Sequence, residues 1–361
     1  MEEGEGNVAE HALLAAKLAW ARGFGAHGLM KIGGGDWNDG MNNVGARGEG
    51  ESVWLTEFAA IIFCRLARLL RRLGDGENAA FFEEGTKKLF AGFRNALQEG
   101  WYLRGYYDSG EPLGKKGSAE CEVDSLSQSF AVFSEAEITG EVSAETKSAL
   151  TAAMGKLYLP GQGIIKLLAP PFDAGAAKPG YIKGYLPGIR ENGGQYTHAA
   201  VWAAMAMLVA GEREKGAEML MRINPAVRSA ENGFCKKYKI EPYALAGDVY
   251  SHEGCVLRGG WSHYTGAAAW YRKAVLETLF GFCMRGDGFF LTPRLPGSFD
   301  GAELSLNIRG TRYLVRFSFC AQSGAVLDGK ILESDEEKMK KCFFPFDGGE
   351  HTLDYCMKKK G

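Results

Sequence analysis

Helical spacing of apolar residues governs most of this chain, and it constrains the fold more than any other feature. In Val53–Leu73, apolar side chains recur every three or four residues, arginines occupy the opposite face, and the pattern stops at Gly74. Such spacing predicts an amphipathic helix that ends at a glycine. The same spacing recurs at residues 11–22, 79–97, 123–136, 144–157, 196–210 and 266–282. Helices of this length predict an array packed in pairs around a common axis.

The pattern changes near Gly286. Short apolar and aromatic runs at residues 289–291, 304–308, 313–319 and 325–327 are separated by Gly, Pro and Asp. Runs of this kind predict strands. We therefore expect a mainly α protein with a helical region at residues 1–285, followed by a small β-rich element at residues 286–361 that covers one side of the helices.

The composition is that of a globular protein with no strong charge bias, since 46% of the 361 residues are apolar and the formal net charge is −2. The basic residues lie along helix faces or in a short lysine tail, so no nucleic-acid partner is expected. No run of about 18 apolar residues occurs and the chain begins with acidic residues, so neither a membrane span nor a secretory signal is expected. The expected location is the cytoplasm.

Cysteine and histidine are not spaced as in metal sites. The eight cysteines include no Cys-x-x-Cys pair, and the six histidines show no zinc spacing. Most of the cysteines have apolar neighbours, which predicts reduced, buried thiols in a reducing compartment. Neither a metal nor an organic cofactor is expected.

Glycine is over-represented, with 50 residues, and it is clustered in loops between the predicted helices. The first loop, at residues 33–42, sets Asp36 and Asp39 on either side of a Trp-Asn pair. Glycine lets the backbone approach a ligand closely, and the indole of Trp37 offers an apolar face beside hydrogen-bonding oxygens, which suits a sugar ring. A calcium-binding loop does not fit, because the glycine and glutamate that it requires are missing. An ordinary turn remains the alternative.

Two further glycine-rich loops directly precede predicted helices. In the second loop, Thr197 is expected near a helix N-cap and His198 in the first turn. In the third loop, Thr265 is the expected cap, and its hydroxyl and the N–H of Gly266 are placed to face a phosphate oxygen. A helix N-terminus offers free N–H groups and a partial positive charge, which favour an anion. A capped helix start is more often purely structural than a binding site. The support for a binding site comes from finding three glycine-rich loops of this kind in one helical chain.

Six ordered segments carry a resemblance to a known family. They are IGGGDWNDGMNNVG with GEGESVWL, YYDSGEPLG, CEVDSLSQSFAV, RENGGQYTHAAVW, KIEPYALAGDVY and GGWSHYTGAAAWYRKAVLETLFGF. Together they resemble the C-terminal part of the inverting glycoside phosphorylases of glycoside hydrolase family 94, a group that includes cellobiose and chitobiose phosphorylases. The first and fourth segments look closest to the branch of cyclic β-1,2-glucan synthases and β-1,2-oligoglucan phosphorylases. The resemblance implies an (α/α)6 barrel followed by a C-terminal β element.

The same resemblance implies a role for each loop. Asp39 falls on the general acid of the family, and Trp37, together with Asp36, falls in the subsite of the transferred sugar. Arg190 and Glu191 fall on the pair that contacts the acceptor sugar. The phosphate-binding residues of the family fall on His198, Thr265 and Gly266.

An inverting phosphorylase needs an acid but no carboxylate base, because phosphate is already an anionic nucleophile. The resemblance therefore implies that Asp39 protonates the glycosidic oxygen while phosphate, held on the opposite face, attacks the anomeric carbon. Inorganic phosphate is then a co-substrate, and a β-linked gluco-oligosaccharide yields α-glucose 1-phosphate. Asp36 and desolvation are expected to keep Asp39 protonated near neutral pH.

The chain departs from the family pattern in its length. Family members begin with a β-sandwich and the first barrel helices, whereas here the catalytic loop begins at residue 33. We therefore expect an incomplete barrel, whose exposed apolar faces need a separately encoded N-terminal half or a homodimer if the fragment is not to misfold. Two alternatives stay open: a catalytically incomplete carbohydrate-binding remnant, and an inverting hydrolase on the same barrel type. Departures at Arg190 and His263 leave the linkage and the identity of the sugar open.

Overall fold

Helices make up about half of the chain before its last 80 or so residues and form most of its regular structure there. The computed structural model describes residues 6–230 and 233–359. Within these residues, eleven α-helices are present, and the tenth continues into a π-helical segment at Ala274–Leu279. The helices are α1 (Val8–Ala21), α2 (Val53–Leu73), α3 (Gly76–Arg94), α4 (Ser125–Thr139), α5 (Ala144–Leu157), α6 (Thr197–Ala210), α7 (Arg213–Ile223), α8 (Pro225–Ala230), α9 (Phe234–Tyr238), α10 (Thr265–Lys273) and α11 (Glu336–Met339).

The boundaries of α2 follow from the residues at its two ends. The Ser52 side chain accepts a hydrogen bond from the Leu55 N–H and caps the N-terminus. Gly74 ends the helix in the left-handed conformation, with a φ of 82° that side chains disfavour. The predicted range Val53–Leu73 is therefore confirmed.

Helix α6 lies at the centre of the helical array. It packs against α4, α7 and α10, while α2 packs against α3 and α4. Nearly every residue of α6 is buried, which explains why its sequence is apolar all round. The N-terminus of this central helix opens toward the glycine-rich loops.

Short antiparallel strands join the loops between the helices, in one four-stranded sheet and in four two-stranded pairs. These strands are β1 (Met30–Lys31), β2 (Glu51–Ser52), β3 (Leu97–Gln98), β4 (Trp101–Tyr102), β5 (Gly105–Tyr106), β6 (Pro112–Leu113), β7 (Val123–Asp124), β8 (Tyr158–Leu159), β9 (Ile164–Ile165), β10 (Leu168–Ala169), β11 (Gln195–Tyr196) and β12 (Asp248–Val249). The four-stranded sheet has the order β1-β2-β5-β6. Because β1 pairs with β2 and β11 pairs with β12, the first two glycine-rich loops are held at defined positions against their neighbours.

Strands dominate the end of the chain. They are β13 (Phe282–Arg285), β14 (Gly288–Leu291), β15 (Glu303–Ile308), β16 (Thr311–Cys320), β17 (Gly324–Leu327), β18 (Lys330–Glu333), β19 (Phe344–Pro345) and β20 (Glu350–Lys358). They form a three-stranded sheet in the order β13-β14-β19 and a five-stranded sheet in the order β15-β16-β20-β17-β18. Each of the four predicted strands lies within an observed strand.

The predicted helix at residues 266–282 is too long. Helix α10 ends at Lys273, the π-helical segment ends at Leu279, and β13 begins at Phe282. The apolar spacing continues through the π-helical segment, which is why the sequence suggested one helix. The division of the chain into residues 1–285 and 286–361 stays a prediction.

Cys320 and Cys356 form a disulfide bond between the neighbouring strands β16 and β20. The prediction that all eight cysteines are reduced is therefore wrong for this pair. Strand pairing brings together two residues 36 apart in the chain, which the cysteine spacing did not reveal. Among the free cysteines, Cys64 and Cys121 are buried as predicted, whereas Cys235 is exposed.

Helix α1 presents apolar side chains to solvent. Val8, Leu14 and Leu18 are 86%, 64% and 58% exposed, more than one helix of a globular array usually shows. Within the described residues, none of the helices is both long enough and apolar enough to cross a membrane. The expectation that further polypeptide covers such faces stays a prediction.

Candidate active site

The first glycine-rich loop is anchored by a buried ion pair. The Asp36 side chain is fully buried, and each of its oxygens lies 2.7 Å from a guanidinium nitrogen of Arg104. The Ser52 hydroxyl and the Asn38 N–H donate to the same carboxylate at 2.6 and 3.0 Å. Burial alone would raise the pKa of Asp36, but Arg104 and these hydrogen bonds lower it below its usual value. Asp36 thus anchors the loop. Its contact with sugar stays a prediction, and neither oxygen of its carboxylate is exposed to solvent.

A second carboxyl group shares Arg104. Arg104 Nε lies 3.3 Å from Asp124 Oδ2, and Asp124 Oδ1 caps α4 by accepting the N–H of Leu126 at 2.8 Å. Burial raises the pKa of Asp124 to about 6, and Arg104 opposes that shift. Desolvation also raises the pKa of Glu57, which is buried nearby on α2, well above its usual value. One cation therefore links the first glycine-rich loop to the start of α4.

Asp39, in contrast to Asp36, is exposed to solvent, at the start of the short turn Asp39–Met41. The neighbouring carboxylate of Asp39, with burial, raises the pKa of the Tyr181 phenol to about 12. Burial raises the pKa of Glu191, and the nearby charge of Asp39 adds to that shift. The exposed carboxylate therefore faces a phenol and a second carboxyl group. Because Asp39 is exposed, the expected desolvation of its carboxyl group is wrong, whereas the expected influence of Asp36 on Asp39 stays a prediction.

The indole of Trp37 joins the first loop to the start of α6. Its ring centre lies 5.2 Å from that of Tyr196, 5.5 Å from that of His198 and 5.4 Å from that of Trp202. The first two contacts are edge-to-face, an arrangement that stabilises aromatic pairs. Trp37 thus holds the first and second predicted loops together.

His198 is half-buried and faces the third loop. Its Nδ1 lies 3.6 Å from the position that a Cβ would occupy on Gly266. Its Nε2 is buried and makes no hydrogen bond within the described residues. Burial lowers the pKa of His198 to about 4, so the imidazole is neutral at pH 7. It can offer an anion one N–H donor but no positive charge.

We expect the replacement of His198 with Gln to reduce the sensitivity of the fold to acid. Between about pH 6.5 and pH 4, the unfolded chain binds a proton on His198 that the folded chain does not, so the wild type loses stability as the pH falls through this window. We expect the wild type to lose up to about 3 kcal/mol more than His198→Gln over this range. Urea unfolding at the two ends of the window measures the difference, and equal losses would contradict a buried neutral imidazole.

The residues predicted to bind phosphate line a single pocket of about 290 Å³. Its walls are formed by Tyr196, His198, Gly247, His263, Tyr264, Thr265, Gly266 and Ala267. Tyr264, not Thr265, is the N-cap of α10, so that predicted cap is displaced by one residue. Thr197 directly follows Tyr196, the N-cap of α6, and His198 lies in the first turn, as predicted. The chain enters each helix from an extended aromatic residue, and neither cap makes a side-chain hydrogen bond. The first N–H groups of α10 are therefore free to bind an anion.

Arg190 and Glu191 form a pair beside Asp39. Arg190 Nε lies 3.4 Å from Glu191 Oε2, and the guanidinium stacks over the ring of Tyr185 at 5.0 Å. The backbone of Arg190 has a φ of 49°, which is uncommon for a residue with a side chain. The structure thus holds both side chains in place, and their contact with the acceptor sugar stays a prediction.

Asp248 is a buried carboxyl group, between the second and third loops, that sequence reasoning did not single out. It pairs with Tyr196 across β11 and β12, and its Oδ1 accepts the N–H of Trp261 at 3.4 Å. Burial raises its pKa. A Cβ on Gly260 would lie 2.2 Å from Asp248 Oδ1, so this position requires glycine. Asp248 lies in the quoted segment KIEPYALAGDVY, but nothing local indicates that its side chain is buried.

The three assembled loops lie within a region that matches a known family of carbohydrate-active enzymes. Residues 1–281 match the catalytic domain of the glycosyl hydrolase 94 superfamily. The match includes all three loops, and the chain belongs to this superfamily.

Individual relatives are similar over most of the chain. The chain is 38% identical over 325 residues to a cyclic beta-(1,2)-glucan synthase of Rhizobium meliloti (strain 1021), covering 88% of this chain and 11% of that protein. It is 29% identical to a solabiose phosphorylase of Paenibacillus borealis, covering 99% of this chain and 46% of that protein. An N,N'-diacetylchitobiose phosphorylase of Vibrio proteolyticus is 27% identical over 87% of this chain and 38% of its own length. The chain thus spans less than half of each of these relatives.

A solved structure named sialidase superimposes with a TM-score of 0.53 at 12% sequence identity. The superposition covers 80% of this chain and 25% of that one. At this identity the likeness concerns the fold alone.

Proposed function

We propose that this chain carries the catalytic region of an inverting glycoside phosphorylase. The reaction converts a β-linked gluco-oligosaccharide and phosphate into α-glucose 1-phosphate and a sugar shortened by one unit. The observation that carries the proposal is the exposed Asp39 carboxylate joined, through Trp37, to a pocket that combines the neutral His198 with the free start of α10.

In this mechanism the Asp39 carboxyl group gives its proton to the glycosidic oxygen as the bond from that oxygen to the anomeric carbon breaks. A phosphate oxygen forms the new bond to the anomeric carbon from the opposite face, which inverts its configuration. The N–H of Gly266, the Thr265 hydroxyl and one N–H of His198 hold the phosphate at the positive end of α10. Since His198 is neutral, it holds the anion without forming an ion pair with the nucleophile.

Arg190 and Glu191 are proposed to contact the acceptor sugar, and Trp37 the transferred sugar. We further propose that the helices belong to an incomplete (α/α)6 barrel, in which an N-terminal half encoded separately or a second copy covers the apolar face of α1. Light scattering of the purified chain distinguishes a dimer from a monomer.

Three relatives support phosphorolysis over hydrolysis, since they are named as phosphorylases of solabiose, of a glucopyranosyl glucuronide and of diacetylchitobiose. A second candidate is an inverting hydrolase, because Glu191 lies close enough to Asp39 for their charges to interact, and inverting hydrolases use two carboxyl groups. The ion pair of Glu191 with Arg190 disfavours a role as base.

Release of α-glucose 1-phosphate from a panel of β-glucobioses and sophoro-oligosaccharides tests the proposal, with and without phosphate. A phosphorylase requires phosphate and forms the sugar phosphate, whereas a hydrolase forms free glucose under both conditions. If neither product forms, titration calorimetry of the same sugars and of phosphate identifies a binding remnant. Co-expression of any upstream reading frame serves as the complete-enzyme control.

We expect the replacement of Gly266 with Ala to weaken phosphate binding selectively. The added Cβ meets His198 at an ordinary contact distance of 3.6 Å, so the fold is not strained, but the methyl group occupies the space where phosphate approaches. Loss of one charge-assisted hydrogen bond corresponds to a rise of about tenfold or more in KM for phosphate. The control is Gly155→Ala on α5, where a Cβ meets no atom within 4 Å. An unchanged KM in Gly266→Ala would remove this position from the phosphate site.

A further inference from the structure

A second cavity, of about 790 Å³, lies where the helices meet the C-terminal strands. None of its residues lines the pocket at the start of α10. Its walls include the cations Arg213, Arg294, Lys340, Lys358 and Lys359. The one carboxylate among its lining residues, Glu337, forms an ion pair with Lys340. The cavity therefore carries a large excess of positive charge.

The two arginines are the strongest indication that an anion belongs there. Within the described residues, no carboxylate forms an ion pair with Arg213 or with Arg294. Arg294 Nη1 lies 3.4 and 3.5 Å from the carbonyls of Thr278 and Thr292, which are long hydrogen bonds. Burial and the neighbouring charge of Arg213 lower the pKa of Arg294. Two like charges held close together at a partly buried site are unfavourable unless an anion pairs with them.

The other walls suit a phosphate group. Ser323 lines the cavity and has a buried hydroxyl without a hydrogen-bond partner in the described residues. Glu214, next to Arg213 in the chain, is exposed and is not part of the cavity wall, and its Oε1 accepts the N–H of Gly297 at 2.8 Å. A guanidinium presents parallel N–H groups that match two phosphate oxygens.

We propose that this cavity binds a phosphate monoester or inorganic phosphate between Arg213 and Arg294. The site is distinct from the active site and goes beyond the proposed function. The lysines supply further positive charge, and Ser323 supplies a hydroxyl donor. Because the cavity is bounded by the start of α7 and by β20, the bound anion holds the helical region against the C-terminal sheet.

Titration calorimetry of the full chain tests the site with inorganic phosphate and with α-glucose 1-phosphate, at an ionic strength matched by potassium chloride. We expect Arg294→Met and Arg213→Met each to weaken phosphate binding at this cavity by about tenfold to 100-fold, and to leave binding at the pocket at the start of α10 unchanged. This factor corresponds to the loss of one hydrogen bond to a charged group. The control Arg72→Met removes an exposed arginine from α2, outside the cavity, and is expected to leave the affinity unchanged. His198→Gln is expected to affect only binding at the pocket at the start of α10, so failure of the proposed function remains distinguishable.

A measurement on the unmodified protein covers the case in which the arginine variants do not fold. Acetic anhydride acetylates exposed lysines, and mass spectrometry reports the extent at each one. We expect phosphate to protect Lys340, Lys358 and Lys359 but not Lys87 on α3, in comparison with chloride at the same ionic strength. Protection by α-glucose 1-phosphate at lower concentration than phosphate assigns the site to a sugar phosphate, and equal protection assigns it to inorganic phosphate. If neither protects these lysines more than chloride does, the proposal is overturned.

Discussion

Replacement of Asp39 with Asn is expected to slow phosphorolysis of a β-linked disaccharide by about 10²- to 10⁴-fold, because an amide cannot give a proton to the departing oxygen. The side chain is exposed and keeps its size, so the fold and the phosphate site should be unaffected. The reverse reaction should slow by the same factor, since the same group then removes a proton from the acceptor hydroxyl. Coupled assay of sugar 1-phosphate in both directions measures the effect.

The leaving group provides a sharper test of the same residue. When a 4-nitrophenyl β-glucoside is cleaved, its leaving group departs as a stable phenolate and does not need a proton. Asp39→Asn should therefore lose far less activity on this substrate than on a disaccharide. Asp173→Asn is the matched control, because Asp173 is also exposed and lies outside the proposed site. Equal losses on the two substrates would show that Asp39 acts in some way other than as an acid.

Replacement of Arg104 with Met is expected to destabilise the protein by about 3–5 kcal/mol at pH 7, the cost of breaking a buried ion pair. Arg104 is 1% exposed and neutralises the buried Asp36 and Asp124 carboxyl groups. The variant leaves both without a cation. The difference from wild type should shrink as the pH falls below about 4, because the stability that the low pKa of Asp36 contributes is present above the pKa of the unfolded chain and is lost as that group is protonated in the folded protein.

An exposed ion pair of similar geometry provides the control for Arg104. Arg71 also binds a carboxylate through two nitrogens, at 2.8 and 2.7 Å from Glu83, but both side chains face solvent. Arg71→Met should therefore cost much less than Arg104→Met, since water screens the pair. Urea unfolding of the two variants at several pH values compares them. Similar losses would mean that burial does not set the strength of the Arg104 cluster.

The local signals in the sequence were sufficient for several of the long helices, but they did not reveal α7 (Arg213–Ile223). A capping serine and a terminal glycine define α2, and an apolar period defines α5, whose predicted range Ala144–Leu157 is confirmed. The prediction was wrong at the end of α10, where apolar spacing continues into a π-helical segment and then into a strand. Periodicity alone does not distinguish these conformations.

The candidate site was predictable in part, because some of its residues lie in local sequence motifs. The glycine-rich loops can be recognised from their local sequence, and the structure brings Trp37 against His198 and His198 against Gly266. The residues that contact those loops cannot be recognised in this way. Arg104 is 68 residues from Asp36 in the chain, and Tyr181 reaches Asp39 from a loop with no recognisable motif. Such contacts depend on packing between distant segments, which a single sequence does not encode in any local pattern.

The most direct test of the account is the configuration of the first product formed from a β-glucobiose and phosphate, followed by proton and phosphorus NMR. If phosphate held at the start of α10 attacks opposite the oxygen that Asp39 protonates, the earliest signal is α-glucose 1-phosphate, and none forms without phosphate. Accumulation of free glucose at the same rate with and without phosphate, or of β-glucose 1-phosphate, would contradict the proposed arrangement of acid and nucleophile.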